Sequence, residues 1–435
     1  MRLAWFSPLP PVRSGVSAYT VDVLAGLDRA FLVDAYVDGA TPGARIFSAH
    51  DFAWRNRLEP YDLVVYQLGN APCHDYMWAY LARYPGLVVL HDARLHHARA
   101  RSLLSRHGAE AYRAELRFDH PDAPPDVAEY AVEGLGGPIA YFWSMLRVVM
   151  STARLIAVHN PRVAADLRES YPGTEVETIR MGVRDVPASR SEEDAARVRR
   201  EWAIPDGAVV FTAFGKITAV KRIGPIVRAF GRVVEEGVDA YLLLVGDADG
   251  YPALGQDASG VDRVRVTGYV ADDRIDAYLA ASDVCLCLRW PAAQETSASW
   301  LRCLAAGRPT AITDLAHLVD IPTFDPRGWR RTRPAREPIA VSIDLLEEET
   351  SLIAAMRRLS IDRALREQLG RAGHQYWSRE HTLNVMVADY GRVIQSAAAR
   401  SAPVPAGLPA HVTDTYSENA RRIAHRVGAD LDMLE

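Results

Sequence analysis

Short apolar runs alternate with amphipathic stretches along most of the chain. The first run, Leu3 to Phe6, is followed by a proline-rich loop and then by apolar residues at helical spacing from Val16 to Leu27. Later apolar runs are YDLVVYQLG, GLVVLHD and RLIAVHN. Continuous apolar strands that alternate with helices are typical of a parallel sheet covered on both faces. The first part of the chain is therefore predicted to be an α/β domain.

The same pattern starts again after a polar stretch, VPASRSEEDAARVRREWAIPDG, which we interpret as a linker followed by a surface helix. Predicted strands include AVVFTAFGK, AYLLLVGD, VRVTGYV and DVCLCLR, and the helix SASWLRCLAAG is predicted to stop at Gly307. Repeated β–α units on this scale indicate a second doubly wound domain. We divide the chain into domains over 1–187 and 188–380, a helical segment over 381–400 and a partly mobile tail over 401–435.

Composition agrees with two globular domains. The 435 residues exceed the length of about 250–300 at which single cores stop growing. A net charge of −5 argues against nucleic acid as a partner, because nucleic-acid binders more often carry a basic domain or stripe. The four cysteines lack C-x-x-C spacing, and Cys285 and Cys287 are predicted to share one face of a strand as buried apolar residues.

No membrane span or signal peptide is expected. The N-terminal apolar run is short and interrupted by prolines, and the longest apolar stretch, IAYFWSMLRVVM, falls short of the ~20 residues that a spanning helix needs. We therefore expect a cytoplasmic protein. Residues 94–117 carry six arginines against two glutamates and could form a basic amphipathic helix on an anionic membrane surface. The alternative, which we prefer, is an ordinary solvated helix face.

Two lysines follow a predicted strand end in FGKITAVKR. The strand ends at Gly215, and Lys216 and Lys221 follow in the loop before the next helix. Ammonium groups at the carboxyl end of a strand, between two α/β domains, suit a diphosphate and its departing charge. A solvated basic loop is the alternative at this point.

Glu295 precedes the helix that we expect to start near Thr296 or Ser297. The unpaired backbone N–H groups of a helix start can bind oxygen atoms, and a carboxylate beside them can accept hydrogen bonds from sugar hydroxyls. Glu295 could equally be only a favourable acid near a helix N-terminus. Gly15, between the first strand and helix, would let the backbone approach a ligand, although one glycine is weak evidence.

Metal sites are possible but disfavoured. His91 and Asp92 end the run VVLHD, and His96 and His97 follow, but the spacing is not that of a helical pair of ligands. A polar His91 in an interdomain cleft is preferred. Asp247 and Asp249 have a D-x-D spacing that suits Mg or Mn, and we interpret Asp247 instead as a turn residue after its strand.

Taken in order, these segments resemble the retaining glycosyltransferases of family 4, which have the GT-B fold of two Rossmann-like domains facing each other across a cleft. The resemblance covers residues 1–395 and rests on the order of SPLPPVRSGVSAYT, VVLHD, IAVHNP, IRMGV, FGKITAVKR, VTGYVADDRIDAYLAASDV and ETSASWLRCLAAGRPTAITD. It implies that the N-terminal domain, 1–187, lies on the acceptor side, that the C-terminal domain, 188–380, holds the nucleotide-sugar donor, and that a C-terminal helix crosses back to the N-terminal domain. It also implies transfer of a glucose- or mannose-type hexose from a UDP- or GDP-sugar, with no metal or other cofactor, to an acceptor that the sequence does not identify.

The same resemblance assigns roles to individual residues. His91, Glu295, Lys216 and Lys221 would be catalytic, with the lysines on the diphosphate and Glu295 on the sugar. The residues implied in donor binding are Gly15, Gly215, Thr267, Gly268, Tyr269, Thr296, Ser297, Ala298 and Cys303.

Cys303 is a departure from the family pattern. It stands where the second glutamate of E-x7-E commonly binds the ribose, and a thiol cannot accept two hydroxyl hydrogen bonds as a carboxylate does. The departure keeps two alternatives open. One is a non-catalytic or partner-dependent glycosyltransferase-like subunit, and the other is a sugar-nucleotide epimerase of the same fold.

Overall fold

The computed structural model describes residues 1–39, 43–137, 139–186, 191–258, 260–414 and 417–428, and the expected domain boundary at 187/188 lies outside them. Two parallel sheets organise these residues. The strands of the first sheet are β1 (Arg2–Phe6), β2 (Leu32–Val37), β3 (Ile46–Ser48), β4 (Leu63–Leu68), β5 (Leu87–Leu90), β6 (Leu155–Val158) and β7 (Val176–Thr178). Their spatial order is β3-β2-β1-β4-β5-β6-β7, and all pairs are parallel.

The second sheet begins after the linker. Its strands are β8 (Val209–Phe214), β9 (Ala240–Val245), β10 (Val264–Val266), β11 (Val284–Cys287), β12 (Thr310–Thr313), β13 (Thr323–Asp325), β14 (Arg330–Arg331) and β15 (Ala340–Ile343). The order is β10-β9-β8-β11-β12-β15-β13-β14, and only the β13–β14 pair at the edge is antiparallel. Chain order reverses beside β8 and beside β1, the kind of position at which open α/β sheets place ligands.

Helices cover both sheets. Those of the first half are α1 (Gly15–Leu27), α2 (Phe52–Leu58), α3 (Trp78–Leu81), α4 (His96–Arg106), α5 (Ala109–Asp119), α6 (Asp126–Val132), α7 (Arg147–Thr152) and α8 (Pro161–Ser170). The remaining helices are α9 (Ser191–Glu201), α10 (Ile223–Glu235), α11 (Leu254–Asp257), α12 (Ile275–Ala281), α13 (Ala298–Ala305), α14 (Glu348–Ile361), α15 (Arg363–Glu380), α16 (Leu383–Ala398), α17 (Ala410–Thr413) and α18 (Ser417–Arg426). Among the residues described, no helix is both long and apolar enough to cross a membrane.

The expected returning helix is α16. The chain turns at His381 between α15 and α16. Thr382 caps the N-terminus of α16, because its hydroxyl accepts a hydrogen bond from the Val385 N–H at 3.3 Å. α16 packs against α1, β4 and β6 of the first domain. The Tyr19 hydroxyl donates to the Tyr390 hydroxyl at 2.8 Å, so a buried polar bond also joins α1 to α16. The sequence expectation of two Rossmann-like domains with a helix that crosses back is confirmed.

The expected single helix over 94–117 is wrong, because the chain forms α4 and α5, separated by His107 and Gly108. Gly108 has φ +86°, a conformation that cannot continue a right-handed helix. Several arginines of this stretch also have protein partners. Arg99 donates two bonds of 2.5 Å to Glu115, and Arg101 donates to Asp75 at 2.7 Å. These pairs reduce the basic face on which the membrane expectation depended.

The tail bonds to the N-terminal domain through His411. The His411 Nε2 lies 2.6 Å from Glu115 Oε2, beside the Arg99–Glu115 pair, and the Arg83 guanidinium donates to the Asp414 carbonyl at 2.8 Å. Partial mobility of residues 401–435 stays a prediction, and residues 415–416 and 429–435 lie outside the described chain.

Candidate functional site

The carboxyl-end loops of the two sheets meet across the cleft. The Ala93 N–H, just after β5, donates to the Ala293 carbonyl at 2.9 Å. The Asn160 side-chain amide, after β6, donates to the His317 carbonyl at 2.9 Å. These two bonds bring the loop after β11 and the loop after β12 against the first domain. The first turn of α13 therefore lies close to the end of β5.

Lys221 lies at the end of β8 with its ammonium group directed at the backbone. Its Nζ donates to the Phe214 carbonyl at 2.7 Å. Gly215 has φ +101°, and a Cβ there would lie 2.9 Å from the Lys221 Nζ and 3.2 Å from the Ser299 Oγ. The positive φ favours glycine at this position, and both the Lys221 ammonium and Ser299 of α13 lie close to it. Burial, and then the nearby Arg289 guanidinium, lower the pKa of Lys221 to about 8.

The N-terminus of α13 supplies hydrogen-bond donors beside this lysine. Ser297 caps the helix, because its hydroxyl accepts a bond from the Trp300 N–H at 3.2 Å. The helix starts at Ala298, one or two residues later than expected, and ends as expected before Gly307, which has φ +64°. The first N–H groups of a helix have no partner within the helix, and the helix dipole favours an anion at that end.

Glu295 has one carboxylate oxygen paired and one unpaired. Arg289 donates to Glu295 Oε1. The other oxygen, Oε2, is buried and has no hydrogen-bond partner among the described residues. An unpaired buried acceptor costs roughly 1–3 kcal/mol, more when it is charged. Oε2 is therefore an acceptor that no described residue uses, on a side chain that lines the cleft.

Asp92 and Tyr141 of the first domain lie close to Glu295. Burial, and then the Glu295 charge, raise the pKa of Asp92 to about 6. The pKa of Tyr141 is raised by burial and then by the charges of Glu295 and Asp92. The Asn70 N–H donates to Asp92 Oδ2 at 2.7 Å and fixes that carboxylate. Two acidic groups from opposite domains thus share this part of the cleft.

His91 is engaged within the first domain. Its Nε2 lies 2.8 Å from Gln67 Oε1, its Nδ1 lies 3.3 Å from the His159 Nε2, and the ring packs edge-on against Tyr19. Burial lowers its pKa well below the ordinary value, so the ring is neutral. Since both ring nitrogens have protein partners, His91 orients its neighbours in this structure, and its contact with a sugar stays a prediction.

The other expected donor residues lie at the same carboxyl edge of the sheet, after β8 and after β10, which is parallel to β8 through β9. Lys216 is exposed, and its side chain passes over Gly250. A Cβ added at Gly250 would lie 3.4 Å from the Lys216 Cε. The Thr267 hydroxyl accepts from the Gly246 N–H at 3.1 Å and donates to the Gly268 carbonyl at 2.8 Å, so it shapes the loop.

The Tyr269 ring is 60% exposed and lies 4.7 Å from the Arg13 guanidinium of the first domain. Arg13 belongs to the loop that leads to Gly15, the first residue of α1. A Cβ at Gly15 would meet no atom within 4 Å, so space is open there. The loops at Gly15 and Tyr269 thus approach each other from opposite domains.

Cys303 is fully buried in α13. Its Sγ lies 3.8 Å from the Cys287 Sγ, and hydrogen bonding with Cys285 and Cys287, followed by burial, raises its pKa well above the ordinary value. Cys285 and Cys287 thus face the same helix, as the alternation in DVCLCLR predicted. None of the Cys303 thiol is exposed in this structure, and its contact with a ribose stays a prediction.

Among the residues described, no cluster of three or more His, Cys, Asp or Glu side chains is placed to hold a metal. Asp247 Oδ1 accepts a hydrogen bond from the Asp249 N–H at 2.9 Å, which is the turn role that the sequence favoured. His96, the other candidate ligand, has its ring nitrogens within 2.9 Å of the Trp143 carbonyl and 2.6 Å of the Tyr112 hydroxyl.

A cavity of about 510 Å³ opens beside Glu295 between the two domains. Its lining includes Glu295, Thr296 and Ser297 of the second domain and His159 of the first. The structure therefore brings together Lys221, Gly215, Glu295 and the start of α13, with the cavity beside them.

Sequence reasoning missed Arg289, Ser299 and Tyr141. No local pattern marks them, because their roles depend on contacts with Glu295 and Lys221. One available signal was overlooked. Lys216 and Lys221 are the only two lysines in the chain, against 48 arginines. Both lysines lie in this loop, and arginine supplies the other basic side chains. A lysine ammonium is compact and its pKa shifts when it is buried, whereas a guanidinium is planar and stays charged.

The two Rossmann-like domains have the GT-B fold. Residues 208–327, which include both lysines and Glu295, match the family model described as "Glycosyl transferases group 1". No curated protein sequence matches the chain.

Solved structures are similar over nearly the whole chain. HepE from Anabaena, solved with UDP and glucose, is 14% identical, with 91% of this chain and 100% of that chain covered and a TM-score of 0.61. Sucrose-phosphate synthase from Thermosynechococcus elongatus is 15% identical, with 91% and 98% covered and a TM-score of 0.63. A glycosyltransferase from Rickettsia africae is 13% identical, with 92% and 99% covered and a TM-score of 0.63. The likeness extends the GT-B fold over both domains.

Proposed function

We propose that this protein is a retaining glycosyltransferase that transfers a glucose- or mannose-type hexose from a nucleotide diphosphate sugar. The observation that carries the proposal is the convergence of Lys221 and the unpaired Glu295 Oε2 on the first turn of α13. The match of residues 208–327 to the group 1 family model supports it. Anabaena HepE, which has the same fold, was solved with UDP and glucose and with UDP-glucose, which supports a UDP-sugar as the donor.

Each group has a defined task in this proposal. The diphosphate lies between Lys221, Lys216 and the N-terminus of α13, where positive charge stabilises the negative charge that develops on the leaving group. Glu295 accepts a hydrogen bond from a hydroxyl of the transferred sugar through Oε2. Retention follows front-face attack, in which the acceptor oxygen bonds to the anomeric carbon as the diphosphate leaves and takes the acceptor proton. No metal is needed in this scheme.

Thermal stability measured with UDP, GDP, ADP and TDP tests the donor site. A ligand that binds only the folded protein raises the unfolding midpoint, and at a fixed concentration the rise grows with the logarithm of its affinity. One nucleotide should raise the midpoint of the wild-type protein, and Lys221→Ala should abolish that shift. Arg371→Ala, at an exposed position of α15, serves as the matched control and should retain it.

Absence of a shift with every nucleotide at millimolar concentration would overturn the proposal. The burial of Cys303 at the expected ribose position would then favour a non-catalytic or partner-dependent subunit. A positive result is followed by incubation with the matching nucleotide sugar. Conversion of the sugar without an acceptor would indicate an epimerase instead, and the anomeric configuration of a transfer product, measured by NMR, tests retention.

A further inference from the structure

The lining of the 510 Å³ cavity includes two arginines on different elements. Arg336 lies in the segment before β15, and Arg379 lies in the last turn of α15. Tyr376, one turn before Arg379, lines the same cavity. Burial and then the Glu380 charge raise its pKa, and the charges of Arg336 and Arg379 oppose that rise, so both guanidinium groups lie near this hydroxyl.

The carboxylates of the cavity leave these arginines without an ionic partner. Glu380 pairs with Arg180 at 3.1 Å, and Asp320 pairs with Arg333 at 3.3 Å. Glu295 pairs with Arg289. Among the residues that the structure describes, neither Arg336 nor Arg379 forms a salt bridge.

Glu337 is the remaining acid of the cavity, and it accepts a long bond of 3.5 Å from the Gln368 amide. Arg336 and Arg379 therefore give the lining two guanidinium groups that none of its carboxylates pairs with. Arginine binds phosphate and carboxylate groups well, because its planar fork can donate two parallel hydrogen bonds.

Apolar side chains complete the lining, among them Leu318, Ile321, Ile339 and Trp300 of α13. A volume of about 510 Å³ lies in the usual range of small-molecule sites, roughly 300–1,000 Å³. The cavity thus combines the Glu295 carboxylate, apolar side chains and two guanidinium groups without an ion-pair partner among the described residues.

We propose that this cavity binds the acceptor, and that the acceptor is a small polyhydroxy compound with an anionic group held by Arg336 and Arg379. The inference rests on the proposed function, because the acceptor hydroxyl must reach the sugar beside Glu295. The anionic group, a phosphate or a carboxylate, orients the acceptor so that a hydroxyl at its other end faces the donor.

Calorimetric titration with glucose 6-phosphate, glucuronate and glucose tests the inference. The phosphate-binding lysines are first removed by using a Lys216→Ala/Lys221→Ala background, so that the probes cannot bind there. Arg336→Ala and Arg379→Ala are then added separately, and Arg371→Ala, which alters an exposed arginine of the same helix α15, is the matched control. Because this background lacks the donor lysines, the result does not depend on nucleotide binding, which the thermal titration tests separately.

One anionic probe should bind at least about tenfold more tightly than glucose, and each arginine variant should weaken it about tenfold or more. The control variant should bind like its parent. The tighter of the two anionic probes identifies the group as phosphate or carboxylate. Equal affinity for all three probes, no binding, or affinity unchanged in both arginine variants would overturn the inference.

Discussion

Raising the pH should weaken nucleotide binding through Lys221. Its pKa in the unliganded protein is about 8, against an ordinary value of 10.5, because the ammonium is buried beside Arg289. A bound diphosphate places negative charge next to the ammonium and should restore a pKa near 10.5. Ionisation of the phosphate adds no further change in the Kd above neutral pH, because its second pKa is about 6.

Linkage gives the size of the effect. At about pH 9.5 only a few per cent of the unliganded protein carries a charged Lys221, whereas most of the complex does, so binding requires proton uptake. With pKa values of 8 and 10.5, the Kd of the nucleoside diphosphate should rise about 30-fold between pH 7 and pH 9.5, or roughly 2 kcal/mol.

Calorimetry in two buffers of different ionisation enthalpy measures both the Kd and the number of protons taken up. Close to one proton per nucleotide is expected at about pH 9. Lys221→Arg is the control, because a guanidinium stays charged over this range and should flatten the profile even if it binds more weakly. A Kd that changes less than about threefold in the wild-type protein would refute the assigned environment of Lys221.

Three further predictions follow from the same contacts. Glu295→Gln should weaken binding of the nucleotide sugar about tenfold, through loss of a charge-assisted bond, while calorimetry with the free nucleotide shows little change. An equal loss for both ligands would contradict the sugar role. Cys303→Glu should bury a carboxylate at a fully buried position, cost roughly 3 kcal/mol and lower the unfolding midpoint by about 10 °C without tightening nucleotide binding. Cys303→Ser is the control, and tighter binding by the glutamate variant would restore the ribose role. Acid should unfold the protein through three buried neutral histidines, each with a pKa lowered by burial to about 4. They are His74, His96 and His159. Between pH 6.5 and 4 the unfolded chain binds protons that the folded chain does not. The free energy of unfolding therefore decreases as the pH is lowered, by roughly 2 kcal/mol per histidine at about pH 5. Asp92, whose pKa is raised, opposes this trend. A midpoint that is constant from pH 7 to 5 would contradict the neutral state of these histidines.

The fold was accessible from local patterns. Apolar strand runs such as LVVL and VVFTAF are buried in parallel sheets, and Gly307 ends α13 where the pattern placed it. The segment 94–117 is the instructive failure. Its arginines suggested one exposed basic helix, but Arg99 is buried against Glu115, sixteen residues away, on the next helix. Composition along one segment does not reveal partners on another.

In the candidate site, too, the sequence determined some features and only the tertiary structure determined others. The sequence by itself determined the two Rossmann-like domains, the lysine loop at the end of a strand and the glutamate before a helix, because residue spacing and turn chemistry act over a few residues. Only the tertiary structure decided that Glu295 keeps one oxygen unpaired, that Gln67 and His159 occupy both nitrogens of His91, and that Cys303 is buried. Each of these depends on atoms brought together from distant segments, and pairing and burial are properties of that packing.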